Sequence, residues 1–283
     1  MSTPFTLQNK HNLDLLGDTH VPTNTDTSTP KACVILLHGF KGYKDYGFIP
    51  ILAHDLCEAG MLVHRFNSST SGMTNEIDTF ARTDLFALDT WTRQVDDIVR
   101  MVNAVRDGEL AGEGLPIYLI GHSRGGAAVL LAGGRHSDEL DLAGVITINA
   151  IDQCSRISTM THSQMLEQGY IISPSARTKQ DLRINSTWLS EQLEDPDAHD
   201  VLLQASRLQC PACIVHSEND DAVDHRAGVA IAKASKSELI TLNGGNHVLN
   251  MPNPGKIEDD RSEQLLKATT QITRFIGDTV HAL

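Results

Sequence analysis

The feature that most constrains this chain is a short stretch without a charged or strongly polar interruption, Ala32-Cys33-Val34-Ile35-Leu36-Leu37, which leads into His38. A strand with one wet face alternates apolar and polar residues. A continuous apolar run of strand length is instead buried on both faces, the condition of a parallel sheet between two layers of helices. The unit recurs at Met61-Leu62-Val63-His64-Arg65-Phe66, Ile117-Tyr118-Leu119-Ile120, Gly144-Val145-Ile146-Thr147-Ile148, Ala212-Cys213-Ile214-Val215-His216 and Glu238-Leu239-Ile240-Thr241-Leu242. Between the runs lie helical stripes. Trp91, Val95, Ile98, Val102 and Val105 are spaced 4, 3, 4 and 3 apart, and Leu265, Thr269, Ile272 and Ile276 form a similar stripe. Strand–helix alternation of this kind predicts a doubly wound α/β fold, a mostly parallel twisted sheet with right-handed crossovers. Residues 4–20, with the polar turn Asn9-Lys10-His11-Asn12, read as an edge hairpin, and residues 21–31 as a surface loop.

Length and charge narrow the function. The 283 residues suit one α/β domain, taken here as 1–283. The formal net charge of −13 disfavours a polyanionic partner or an anionic membrane surface, so neither nucleic acid nor membrane is expected. No stretch approaches the length of an apolar spanning helix, and the opening residues lack a basic region followed by an apolar one, so no secretory signal is expected. Cys33, Cys57, Cys154, Cys210 and Cys213 are odd in number and scattered, which reads as reduced thiols in the cytoplasm. Cys210-Pro211-Ala212-Cys213 leads into a strand and has no second pair to complete a zinc site, so no metal is assigned to it.

The chemistry lies in Gly121-His122-Ser123-Arg124-Gly125, placed between a strand and the helical Gly126-Ala127-Ala128-Val129-Leu130-Leu131. This is Gly-x-Ser-x-Gly at a strand–turn–helix junction, the nucleophile elbow. The turn lifts the Ser123 hydroxyl above the sheet, and side chains two residues either side would strike strand and helix. The helix N-terminus turns free N–H groups and its positive dipole end towards charge developing near Ser123.

An elbow serine needs a base and an orienting acid, following in the order Ser, Asp/Glu, His. His247 ends the loop Asn243-Gly244-Gly245-Asn246-His247 after one strand. Asp220 lies in Ser217-Glu218-Asn219-Asp220-Asp221 after another, with Asp221 and Asp152 as alternative acids. Both loops follow the C-terminal ends of strands, the edge where open α/β sheets place their sites. The backbone N–H of Arg124, with that of Phe40 in the loop His38-Gly39-Phe40-Lys41-Gly42, is the expected oxyanion pair.

These motifs resemble the α/β-hydrolase superfamily from end to end. Within it the chain resembles the cinnamoyl/feruloyl-esterase and dienelactone-hydrolase-like branch, with its His-Gly-Phe-x-Gly loop and a small insertion after the sixth strand. Ala176-Arg177-Thr178 resembles a segment of such chains, while Ser217 stands where relatives commonly carry Gly. The resemblance implies a cofactor-free serine hydrolase of small carboxylic esters, acting through an acyl-enzyme on Ser123. A peptidase or amidase with the same triad, and a non-catalytic ligand-binding receptor, are the alternatives. The insertion, residues 152–208, is far longer than a crossover needs and is expected to form a lid. Met160, Met165, Tyr170, Trp188 and Leu193 are its candidate substrate contacts, and Arg65 and Phe40 border the other candidate pocket wall.

Overall fold

A computed structural model of the chain describes residues 2–22 and 30–281. Residues 23–29, the greater part of the expected surface loop, lie outside the described residues. The strands β1 (Ser2–Gln8) and β2 (Asp14–His20) form the predicted edge hairpin, with Leu7 opposite Leu15. The Asn9 side chain closes the turn by accepting from the N–H groups of His11 and Leu13 at 2.9 and 3.1 Å. There follow β3 (Cys33–Leu37), α1 (Ile49–Glu58), β4 (Leu62–Phe66), α2 (Thr83–Phe86), α3 (Trp91–Arg106), β5 (Ile117–His122), α4 (Arg124–Arg135), α5 (Ser137–Leu140) and β6 (Gly144–Ile148). The next segment carries α6 (Thr159–Gln168), β7 (Tyr170–Pro174), β8 (Asp181–Asn185), α7 (Thr187–Glu194) and α8 (Val201–Ser206). The chain then returns through β9 (Ala212–Ser217), α9 (Arg226–Ser235), β10 (Leu239–Leu242) and α10 (Glu263–Val280).

The large sheet has the order β1-β2-β4-β3-β5-β6-β9-β10 and is parallel from β4 to β10. Every residue of β3 to β6 is buried, as the unbroken apolar runs require. Alternation along β3 divides the core between the two faces. Ile35 and Leu37 pack with the buried residues of α3 and α4, whereas Val34 and Leu36 pack with those of α1 and α10. The predicted helical stripe of Trp91, Val95, Ile98, Val102 and Val105 is buried on α3. Because β3 lies between β4 and β5, the chain leaves it to one side and later returns on the other. That switch point opens a crevice at the carboxyl ends of the strands.

The segment between β6 and β9 is tied down at several points. Lys41 donates to the Pro174 carbonyl at 2.8 Å, and the Gln180 side chain exchanges hydrogen bonds with the Phe80 backbone. The Arg177 guanidinium stacks on Tyr43 and Phe80, 4.9 and 5.3 Å from the ring centres. At α7, Glu191 accepts from the Trp91 N–H at 2.6 Å, a carboxylate on the free N–H groups that open α3. The segment is thus braced against the loop that carries Phe40 and the start of α3.

Candidate active site

The elbow between β5 and α4 explains its own sequence. Ser123 has φ +56°, a left-handed conformation held by its N–H bond to the Ile148 carbonyl at 2.9 Å. A Cβ on Gly121 would lie 2.2 Å from the Gly125 carbonyl oxygen, and one on Gly125 would lie 2.4 Å from that of His38. Neither position admits a side chain, so the turn requires glycine at both. Arg124 begins α4, and its N–H has no acceptor four residues back within the helix. Among the described residues, the N–H groups of Arg124 and Phe40 donate to no protein acceptor, which leaves both free for a ligand oxygen. The Phe40 loop approaches closely because Gly39 lies against Ser123, where a Cβ would come 2.9 Å from that of the serine.

Of the three carboxylates considered from sequence, Asp220 is the one that meets His247. Its Oδ2 lies 2.8 Å from Nδ1 of the imidazole, and its Oδ1 accepts from the N–H groups of Ala222 and Val223, each at 2.8 Å. Burial opposes the charged carboxylate. The bonds from His247, Val223 and Ala222 outweigh that cost and hold its pKa below the ordinary value. Asp152 pairs with Arg156 instead, and Asp221 is exposed. His216 stands 3.8 Å from Asp220 but its Nε2 is bonded to the Val223 carbonyl at 3.0 Å. Ser123 Oγ makes no hydrogen bond with His247 among the described residues, and the two line one cavity.

Sequence reasoning missed the residues that brace His247. Asn149, fully buried with φ +49°, donates to the His247 and Asn246 carbonyls at 2.9 and 3.3 Å. Its Oδ1 accepts from the Ser217 N–H at 2.7 Å, and its amide nitrogen also reaches Ser217 Oγ at 3.2 Å. Asn149 thereby joins the ends of β6 and β9 to the histidine loop. Ser217, read as a departure from the family pattern, is part of this bracing. His122, whose pKa burial lowers to about 3, remains neutral and donates from Nε2 to the same His247 carbonyl at 2.9 Å. A polar residue just past an apolar strand was the available signal for Asn149, but no spacing rule assigns it a partner.

The cavity beside Ser123 has a volume of about 420 Å³. Apart from Ser123 and His247 its walls include Phe40, Trp91, Ile151, Ile157 and Trp188. The β7–β8 hairpin adds Ile171 and Ile184, directly opposite each other across the ladder, together with Ser173 two residues further along β7. Ile172 faces the other way and is exposed.

The five substrate contacts expected from the insertion need correction. Trp188 lines the cavity, but Met160 is 80% exposed and Leu193 55% exposed, both pointing to solvent from the outer faces of α6 and α7. Met165 is fully buried in the hydrophobic core, and Tyr170 is covered by the Arg183 guanidinium at 4.1 Å; neither lines the cavity. Arg65, buried on β4, is held in ion pairs with Asp18, at 2.9 Å, and Asp45, and does not line the cavity. The Arg124 side chain contributes as well as its backbone. It is ion-paired with Asp89 at 2.7 Å and lies between the rings of Phe40 and Trp91, 5.4 and 4.5 Å from their centres.

Among the described residues, no group of three His, Cys, Asp or Glu side chains is placed to hold a metal ion. No helix there is long and apolar enough to cross a membrane.

The geometry can be set beside known proteins. The model of the family described as serine aminopeptidase, S33 matches residues 28–199, which include the Phe40 loop and the elbow. None of the curated proteins matches the chain. Among solved structures, Est1E from Butyrivibrio proteoclasticus is 18% identical with a TM-score of 0.69, covering 98% of this chain and 99% of its own, and is also known with ferulic acid bound. The esterase domain of a Rhodothermus marinus protein is 18% identical with a TM-score of 0.66, covering 99% of each chain. A puromycin-hydrolysing peptidase of Mycobacterium tuberculosis, 16% identical with a TM-score of 0.65, covers 99% of this chain but 39% of its own. At these identities the likeness is one of fold. With the family match spanning more than half of the sequence, this chain belongs to the serine aminopeptidase S33 family of α/β hydrolases.

Proposed function

We propose that the protein is a serine esterase that cleaves small carboxylic esters through an acyl-enzyme on Ser123. The observation that carries this reading is the 2.8 Å bond between His247 Nδ1 and Asp220 Oδ2, beside a strained serine that lines the same cavity. With Nδ1–H committed to Asp220, Nε2 of a neutral His247 is the nitrogen free to take the Ser123 proton. Ser123 Oγ then attacks the ester carbonyl, and the N–H groups of Arg124 and Phe40 receive the developing oxyanion. The imidazolium returns its proton to the leaving alcohol. Water activated by His247 next attacks the acyl-enzyme, the same donors hold the second oxyanion, and the free acid leaves with Ser123 restored. Asp220 keeps the imidazole in its tautomer and stabilises its charge without taking the proton. No cofactor enters the sequence.

An aminopeptidase reading shares this chemistry but needs a carboxylate to meet the substrate's free amino group. The residues lining the cavity include Arg124 and Arg156 and no Asp or Glu, which favours an ester with a largely apolar acyl group. In this reading 1–283 is one domain and 152–208 is its lid, with Trp188, Ile171 and Ile184 as the acyl-facing wall. The five unpaired cysteines favour a cytoplasmic setting. The experiment is a panel of 4-nitrophenyl acyl esters against aminoacyl 4-nitroanilides. Rapid turnover of the esters with negligible release from the anilides is expected; the opposite order would transfer the protein to the peptidases.

A further inference from the structure

The loop that carries Phe40 contains a buried histidine to which the proposed chemistry gives no task. His38 directly follows β3, is 5% exposed, and packs against the elbow, where a Cβ on Gly125 would lie 2.4 Å from its carbonyl oxygen. Its two ring nitrogens have different partners. Nε2 lies 3.1 Å from the Ser68 nitrogen, and Nδ1 lies 2.8 Å from the Gly39 carbonyl oxygen. A backbone N–H can only donate and a carbonyl can only accept, so Nε2 is the bare nitrogen and Nδ1 carries the proton. Burial foremost lowers the pKa of this ring to about 4, which keeps the neutral tautomer in place near neutral pH. The Gly39 carbonyl also accepts from the Gly42 N–H at 3.0 Å, and a Cβ on Gly42 would come 2.9 Å from that oxygen.

The carbonyl held in this way belongs to the peptide unit whose nitrogen is that of Phe40. In a trans peptide the C=O and N–H bonds lie in one plane and point in opposite directions, so fixing the oxygen fixes the hydrogen. The Phe40 N–H donates to no protein acceptor, and the same peptide lies against Ser123, since a Cβ on Gly39 would come 3.4 Å from the serine Oγ. We infer, resting on the esterase reading above, that His38 is a positioning residue for the oxyanion hole: its Nδ1–H holds the Gly39 carbonyl and thereby aims the Phe40 N–H at the oxygen that develops beside Ser123. Two effects follow. A donor already aimed at the developing charge needs no reorientation as the reaction proceeds. A peptide that accepts two hydrogen bonds at its oxygen is also polarised, which strengthens its nitrogen as a donor. The spacing His38-Gly39-Phe40-Lys41-Gly42 then has a physical reason at each end. His38 supplies one donor to the carbonyl, Gly39 admits the loop to Ser123, and Gly42 lets a second N–H reach the same oxygen.

Two amide variants divide the two bonds of the ring. In His38→Asn the amide NH2 stands near the place of Nδ1 and keeps the bond to the Gly39 carbonyl. In His38→Gln the longer side chain places its amide near Nε2, where it bonds Ser68 and leaves Gly39 alone. With 4-nitrophenyl butyrate, His38→Gln is expected to lower kcat by about 30-fold with KM changed by less than about threefold. That loss is smaller than for outright removal of an oxyanion donor, because Gly42 still holds the carbonyl. His38→Asn should turn over at least about fivefold faster than His38→Gln. A histidine with a merely structural role would lower activity alike in both variants, in step with the unfolding midpoint. Gly42→Ala, whose Cβ would press on the same carbonyl, should show the same loss in kcat, and it decides the matter if His38→Gln does not fold. Equal losses in the asparagine and glutamine variants, a loss carried by KM, or an unchanged kcat in His38→Gln or Gly42→Ala would overturn the inference. If every ester is inert to the unaltered protein, the esterase reading fails. The rate at which a fluorophosphonate phosphorylates Ser123 then decides the inference, with the unaltered protein expected above His38→Asn and His38→Asn above His38→Gln. A Ser123 that is never phosphorylated would overturn both.

Discussion

The elbow and the wall that faces it differ in how closely their sequences determine them. From Ile117 to Gly126 nearly every residue is fixed by backbone geometry: two glycines where no Cβ fits, a serine at φ +56°, and an N–H with no partner in its helix. In the segment 152–208 the important contacts join residues distant in sequence, such as the Glu191 carboxylate with the Trp91 N–H and the Arg177 guanidinium with the Phe80 ring. Backbone constraints leave a local pattern in the sequence; tertiary packing leaves only composition. The elbow therefore carries the proposed chemistry and the wall the proposed selectivity, and variants should separate the two.

The largest effect belongs to the elbow. Ser123→Ala should remove on the order of 10⁶ in kcat while the unfolding midpoint changes little, since only an oxygen is lost. Activity within tenfold of the unaltered protein would move the chemistry elsewhere. Asp220→Asn comes next. The amide cannot stabilise the imidazolium and favours the wrong tautomer, so turnover should fall by roughly 10⁴. An active Asp220→Asn beside an inactive Asp152→Asn or Asp221→Asn would identify a different orienting acid.

In the wall, Trp188→Ala should shift the relative kcat/KM of bulky and small acyl esters by about tenfold, the scale that apolar pocket contacts discriminate. Met160→Ala and Leu193→Ala remove side chains that face solvent and should leave both selectivity and stability nearly unchanged, within about 0.5 kcal/mol. Equal shifts from all three would mean that the wall acts as scaffold alone.

That contrast defines what was legible in advance. Period and unbroken apolar runs identified the parallel sheet and its helices, and the elbow motif with its two following loops singled out Ser123, His247 and Asp220. The five insertion residues stand out in the sequence only as large and apolar, a property that does not say which face they occupy. Met160 and Leu193 turned outwards, Met165 packed inwards, and Tyr170 went beneath Arg183. Alternation within Tyr170-Ile171-Ile172-Ser173 was the overlooked signal, because a strand there places Ile171 and Ser173 together on the cavity face. Asn149 could not have been found that way. Its partners lie 68 and 98 residues further along the chain.

A further effect concerns pH, and it again falls on the sheet side. Burial foremost lowers the pKa of His20, His38 and His64 to about 4 and that of His122 to about 3. Below about pH 6.5 the unfolded chain binds protons that these folded imidazoles refuse, so stability should fall as pH drops from there towards 4. Asp97, pushed up to about 7 by burial, and Asp89, also raised by burial, act in the opposite sense by binding their protons more readily when folded, but with His216 also lowered by burial they are two groups against five. His64→Gln should flatten the dependence by up to one proton, about 1.4 kcal/mol per pH unit. Denaturant unfolding between pH 4.5 and roughly 7 measures it, and an unchanged slope would show that His64 takes up its proton in the folded protein.

The most direct test of the central claim is covalent. A fluorophosphonate phosphorylates an activated serine, and mass mapping of the labelled protein identifies the residue. The account predicts one adduct per chain, on Ser123, absent from Ser123→Ala and formed far more slowly in Asp220→Asn. Ester hydrolysis by a preparation that labels at another residue, or that hydrolyses esters without labelling at all, would contradict it.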